Sequence, residues 1–206
     1  MTNSPGTPSD AELLGRMMAG DEEAFTTLYR RRQSGVFRFA LQMTGSRTVA
    51  EDVTQDVFIV LIREGGRFDP ERGSLASFLY GIARNNLLRR FEQERRYVGL
   101  EDNSDNGVPL NEILAGENDP QADLISKEVT EKVRTAVLSL PSRYREVVVL
   151  CDLHEFSYEE AAAIVGCAIG TVRSRLHRAR GMLIEKLKVM NPQRSSEPLK
   201  PARCFA

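Results

Sequence analysis

Apolar residues recur at intervals of three and four along most of this chain, and no strand-like alternation of useful length interrupts them. That spacing predicts an all-α fold. In the N-terminal half a helix is expected from about Asp21 to Met43, with Phe25, Leu28, Val36, Phe39, Ala40 and Met43 as apolar contacts and Gly45 as its stop. Ser46 offers a cap for a second helix whose Val49, Val53, Val57, Val60 and Leu61 form a buried stripe, and Gly65 and Gly66 end it. After the loop RFDPERG, Ser74 can cap a third helix with Leu75, Phe78, Leu79 and Ile82 on one face. The distal end of that helix is strongly basic.

The stretch from Glu101 to Asp123 breaks the pattern: it is rich in Asp, Asn, Gly and Pro and reads as a linker. Helical spacing resumes near Ser126 with Val129, Val133, Val137 and Leu140, and Pro141 forces a boundary before a helix from Tyr144 to Leu153. Ser157 and Glu160 make a capping-box pattern ahead of AAAIV, and Gly166 breaks the chain before a new period starts at Ile169. The expected architecture is therefore two small helical domains joined by an acidic flexible linker. A flexible N-terminus covers 1–20, the first domain 21–97, the linker 98–125, the second domain 126–190 with a helix-turn-helix, and a disordered tail 191–206.

A net charge of -1 hides a segregation of charge. Residues 25–97 carry 13 Lys/Arg against 8 Asp/Glu, and residues 132–190 carry 10 against 6. Residues 98–131 hold 1 against 9, and residues 1–24 hold 1 against 5. Two basic bodies around an acidic connector suit a chain that lays both on one polyanion, because each cation near a phosphate releases counterions. Ordinary solvated surface charge gives the same count. No apolar run approaches the roughly 20 residues that span a bilayer, and MTNSPGTPSD lacks the order of a signal peptide, so a cytoplasmic chain without membrane insertion is expected.

Cys151, Cys167 and Cys204 are too few and too scattered for a disulfide framework and are expected as free thiols, with no role assigned to Cys204. Cys151 and His154 have the spacing of paired metal ligands, but Cys151 follows VVVL and reads as core. No metal and no cofactor are expected. A phosphate-cradling glycine loop and a nucleophile elbow are both missing from the sequence, so it does not read as an enzyme.

From Ile169 the apolar positions 169, 172, 176, 179, 183 and 187 cluster on one side of a helix. The other side presents Gly170, Thr171, Ser174, His177, Arg178 and Gly181, with Arg173, Arg175 and Arg180 on the flanks. Small residues allow close approach to a major groove, Ser and Thr bond to bases or phosphates, and Arg can pair with guanine. On the second predicted helix Asp52, Gln55, Asp56 and Ile59 share another face, a mixed stripe able to grip a partner.

The run FSYEEAAAIVGCAIGTVRSRLHRARGML closely resembles the promoter-binding domain of the extracytoplasmic-function (group IV) sigma factors of bacterial RNA polymerase. AEDVTQDVFIVLI and RFDPERGSLASFLYGIARNNLLRR resemble the other domain of that family, and the two resemblances cover most of the chain. They imply that Thr171, Arg173, Ser174, His177 and Arg178 contact the upstream, minus-thirty-five element, with Arg175 and Arg180 nearer phosphates. Phe68, Tyr80 and Asn85 would meet bases of the downstream, minus-ten strand while Arg84, Arg89 and Arg90 serve its backbone; Phe68 and Phe78 suit a core equally well. Asp52, Gln55, Asp56 and Ile59 would bind core polymerase. Three departures from the family stand out: Ala168 replaces a usual Ser cap, Phe78 a common Trp and Arg89 a usual Asp. The implied partners are core RNA polymerase, promoter DNA and an anti-sigma factor. A helix-turn-helix regulator that binds DNA without polymerase is the alternative, and the first domain discriminates between them.

Overall fold

The computed structural model describes residues 7–97 and 122–190, and among them every regular element is helical. Eight helices follow in order: α1 Asp10–Met18, α2 Glu22–Thr44, α3 Arg47–Glu64, α4 Leu75–Tyr97, α5 Ala122–Leu138, α6 Ser142–Val148, α7 Tyr158–Val165 and α8 Ile169–Met190. Short 3-10 turns at Gly65–Arg67 and Pro70–Arg72 join α3 to α4, and a π-helical turn at Val149–Leu153 continues α6.

Side-chain caps fix most of the starts. The amide of Ala24 donates to Asp21 Oδ1 at 3.0 Å at the head of α2, and that of Ser77 donates to Ser74 Oγ at 3.1 Å at the head of α4. Ser46 caps α3 and Ser157 forms a reciprocal capping box with Glu160 on α7. Gly45 and Gly166 stop α2 and α7 at φ +74° and +71°, a backbone region that only glycine enters without strain. Ala168 gives α8 no side-chain cap, and its carbonyl alone receives the amides of Thr171 and Val172.

Leu28, Val36 and Phe39 of α2 meet Val53, Val57 and Leu61 of α3 and Leu79, Ala83 and Leu87 of α4. In the second body Leu140, Val147 to Leu150, Ala161 and Ile164 pack with Val172, Leu176 and Ala179 of α8. Both sets belong to one continuous cluster. Arg145 of α6 helps to join them. Its Nη1 donates to the Met43 carbonyl near the end of α2 at 2.5 Å, and its Nη2 donates to the carbonyls of Leu140, at 3.0 Å, and Leu138.

Four expectations need correction. The supposedly flexible N-terminus is helical from Asp10, because Ser9 and Glu12 form a capping box and Leu13 and Leu14 are buried. Asp10 also pairs with Arg31 at 2.8 Å and with Arg32, tying α1 to α2. The helix expected from Tyr144 to Leu153 is α6 plus the π turn, and it starts at Ser142 directly after Pro141. Val137 and Leu140 are buried, but Val129 and Val133 face solvent. Of the expected linker, residues 122–125 already belong to α5; residues 98–121, the expected tail 191–206 and Cys204 lie outside the described residues.

The N-terminal helix gives a direct test. Leu13 is 1% exposed, so Leu13→Ala should lower the free energy of unfolding by about 2–5 kcal/mol in urea titration. A change below about 0.5 kcal/mol would mean that α1 is not part of the folded core.

Candidate nucleic-acid and polymerase interfaces

On α8 the buried residues are Val172, Leu176 and Ala179, and Gly170, Arg173, Ser174, His177, Arg178 and Gly181 are exposed opposite them. Thr171 and Arg175 are half-buried at the margins. The structure thus collects the expected upstream set on one face. Several members are already engaged within the protein. Arg180 Nη2 meets Asp152 Oδ1 at 2.5 Å and its Nε meets Oδ2 at 3.1 Å, a two-pronged pair. Ser174 donates its hydroxyl to the Thr171 carbonyl at 3.1 Å. The Arg173 guanidinium lies 5.7 Å from the Tyr158 ring centre.

Sequence reasoning missed Arg143 and Tyr144 on α6. Tyr144 lines the same shallow cleft as Arg178 and Gly181, and the Arg143 guanidinium sits 4.9 Å from the Tyr144 ring centre. A hydrogen bond from Arg178 holds the phenol below its usual range. The signal was legible as RY in the first turn after Pro141.

The face expected to meet the downstream strand is less open. Phe68 and Phe78 pack on each other at 5.7 Å between ring centres, both partly buried against the core. Tyr80, expected on the exposed side of its helix, is only 7% exposed. Its ring lies 5.1 Å from that of Phe39 and 4.7 Å from that of Phe156. The reason is a packing match: Gly35 on α2 leaves room for the Tyr80 hydroxyl, where an added Cβ would approach to 2.8 Å. Burial pushes that phenol up to about 12. The Arg84 guanidinium pairs with Glu146 of α6. Burial raises the Glu146 carboxyl, against the opposing pull of Arg84. Asn85 and Arg89 are exposed.

His154 connects the two bodies. Its Nε2 is 2.8 Å from Gln42 Oε1 and its Nδ1 is 2.7 Å from the Tyr80 hydroxyl. A carboxamide oxygen can only accept, so Nε2 donates and Nδ1 accepts from the phenol. With both nitrogens committed, His154 has none left to join Cys151 on a metal. Burial first, then the Arg38 charge, pushes His154 down to about 4.

On α3, Asp52, Gln55 and Ile59 are exposed and Asp56 is half-buried, on one face as expected. Arg90 was expected beside the downstream strand. It lies instead between these carboxylates, 3.2 Å from Asp52 Oδ2 and 3.3 Å from Asp56 Oδ2.

Two family models match this chain: Sigma-70 region 2 over residues 28–97, and Sigma-70, region 4 over residues 130–183. The ECF RNA polymerase sigma-E factor of Escherichia coli (strain K12) is 33% identical over 189 residues, covering 87% of this chain and 95% of that protein. The ECF RNA polymerase sigma factor SigM of Mycobacterium tuberculosis is 32% identical, covering 89% of this chain and 87% of its own length. This chain belongs to the ECF RNA polymerase sigma factors. SigE of Mycolicibacterium smegmatis is also 32% identical, and the chain spans 64% of its length. Among solved structures, the sigma factor RpoE bound to the anti-sigma factor NepR from Bartonella quintana has a TM-score of 0.65 at 31% identity, covering 80% of this chain and 97% of that one.

In this sigma factor, region 2 comprises most of α2, with α3 and α4, and region 4 runs from within α5 into α8. The polar face of α8 in region 4 is turned to solvent, whereas Tyr80 and Arg84 of region 2 point at region 4.

His154 supplies a pH test. It is neutral when folded, near pKa 4, and close to 6.5 when unfolded. Its contribution to stability is therefore present above pH 6.5 and lost as pH falls toward 4. The urea midpoint of the wild type should fall more between pH 7 and 5 than that of His154→Gln. Equal losses would show that the buried imidazole is not the source.

Proposed function

We propose that this chain recruits core RNA polymerase to a class of promoters and assists strand opening, with region 2 docking on polymerase and region 4 reading the upstream element. The observation that carries the reading is the presence of both matched regions in one chain, each with its own solvent-facing interaction surface. Only 32 residues separate the matches, too few for another domain of ordinary size, which supports placement in group IV.

In region 4, the exposed His177 and Arg178 with Thr171 and Arg173 are suited to base edges, and Arg175 to the flanking backbone. Arg180 reaches phosphate only by leaving Asp152. In region 2, Asn85 and Arg89 are accessible to the downstream strand, and Tyr80, Arg84 and Phe68 are its proposed inner contacts. Asp52, Gln55, Asp56 and Ile59 form the proposed polymerase grip, with Arg90 as the cation that holds the carboxylates until a basic partner replaces it.

A protein of the anti-sigma class is the further proposed partner, by analogy with the Bartonella complex. The role is that of an initiation factor, not an enzyme, and it puts the chain in the cytoplasm with polymerase. A polymerase-independent regulator would leave the region 2 match without a purpose.

Two substitutions separate the surfaces. Arg178→Ala should weaken upstream recognition by about 1–3 kcal/mol, roughly 5- to 150-fold, and leave retention of core enzyme unchanged. Asp56→Arg should lower core retention in a pull-down before any DNA is added. Equal loss of core binding in both variants would contradict the division, and no retention of core by the wild type at low salt would favour the regulator.

A further inference from the structure

The second body does more than sit beside the first. Three side chains on it reach α4 of region 2 and its cap, among them the proposed strand contacts Arg84 and Tyr80. Glu146 pairs with Arg84, His154 accepts the Tyr80 hydroxyl proton at 2.7 Å, and Glu160 Oε1 stands 3.4 Å from Ser74 Oγ and 3.5 Å from Ser77 Oγ. Phe156 closes on the Tyr80 ring from the same side at 4.7 Å. The other oxygen of Glu160 caps its own helix at 3.0 Å, so its reach toward α4 is fixed by the α7 start.

The chemistry of these contacts matches the chemistry of a nucleic-acid strand. A carboxylate takes the guanidinium that a phosphate would take, the Phe156 ring covers the Tyr80 ring edge to face and so keeps a base from it, and an imidazole nitrogen accepts where a base edge would accept. We infer that region 4 carries a docking surface, Glu146, His154, Phe156 and Glu160, that occupies the strand-binding face of region 2 and blocks it when no polymerase or DNA is bound. The inference rests on the strand-contact role proposed above for Tyr80 and Arg84. Promoter strand and region 4 then compete for the same side chains, and the bodies separate before the strand enters. The recognition face of α8 stays accessible throughout, because it lies on the side of region 4 away from its own buried residues. Upstream recognition and downstream strand capture are thereby uncoupled: the closed chain retains the first and withholds the second.

The test uses the full chain. In the triple variant Glu146→Gln, His154→Ala, Glu160→Gln, none of the changed residues belongs to the proposed DNA or polymerase contacts, and Gln at 160 preserves the capping box. Binding of a fluorescent 20-nucleotide single strand of mixed sequence is read by anisotropy. The variant should bind about tenfold more tightly than the wild type, as when a competent fraction rises from about a tenth to near unity. Adding Arg84→Ala to the variant should remove that gain.

A second measurement does not depend on the triple variant folding. Spin labels at Thr48→Cys and Ala163→Cys, with the native cysteines changed to Ser, report the separation of the two bodies. One short distance in the free chain and a longer one with core polymerase are expected. Separated bodies in the free chain would overturn the inference. So would a triple variant that opens without gaining strand affinity while Arg84→Ala still impairs opening of promoter DNA by the holoenzyme; there the strand role stands and the blocking does not. If Arg84→Ala harms neither strand binding nor promoter opening, the strand role itself has failed and the inference fails with it.

Discussion

The last carbonyls of a helix have no partner within it, and where two helix ends meet in a water-poor corner something must supply donors. Here the donor is Arg145. At 3% exposure, Arg145 reaches Met43 near the end of α2, Leu138 at the end of α5 and Leu140 just beyond it. A planar, permanently charged fork serves several acceptors at once, which a lysine ammonium on a flexible stem does less well. Burying that charge is tolerable only while the acceptors stay in place. The corner therefore fixes where region 4 stands against α2, and everything else between the bodies follows: His154 arrives at Tyr80 and Gln42, and Glu146 at Arg84.

That geometry gives the two proposed DNA-facing surfaces different standings. Helix α8 has its apolar residues buried within region 4 and most of its polar face in water, and only local bonds such as Arg180 to Asp152 need to be exchanged there. The region 2 face has its best side chains satisfied by protein. Tyr80 has a hydrogen bond and three ring neighbours, and Arg84 has a carboxylate. Such contacts are individually modest, since each replaces a bond to water, and they can be exchanged for equivalent contacts to a nucleic-acid strand at small net cost. The Arg90 bridge to Asp52 and Asp56 has the same character on the polymerase side: an exposed pair, weak alone and open to competition from a partner's cations.

Much of this was legible in the chain. The boundaries of α2, α3, α7 and α8 follow from Asp21, Gly45, Ser46, Ser157 and Gly166, whose local chemistry acts over three or four residues. The outward face of α8 follows from its 3.6-residue period. The helix α1 is also encoded locally, as a Ser9–Glu12 capping box before Leu13 and Leu14, but its apolar run is too short to show a helical period. What periodicity could not give is long-range. Tyr80 is buried by residues far from it in sequence: Gly35 and Phe39 of region 2, 45 and 41 positions earlier, and His154 of region 4, 74 later. Arg90 likewise joins Asp52 across 38 positions, a pairing no local pattern encodes.

The most direct measurement of the central claim is transcription by purified core polymerase with and without this chain on fragmented native DNA, with transcript starts mapped. The account predicts discrete new 5′ ends that share an upstream and a downstream sequence element and that need both regions intact. A properly folded, uninhibited chain that yields no starts beyond those of core alone would contradict it.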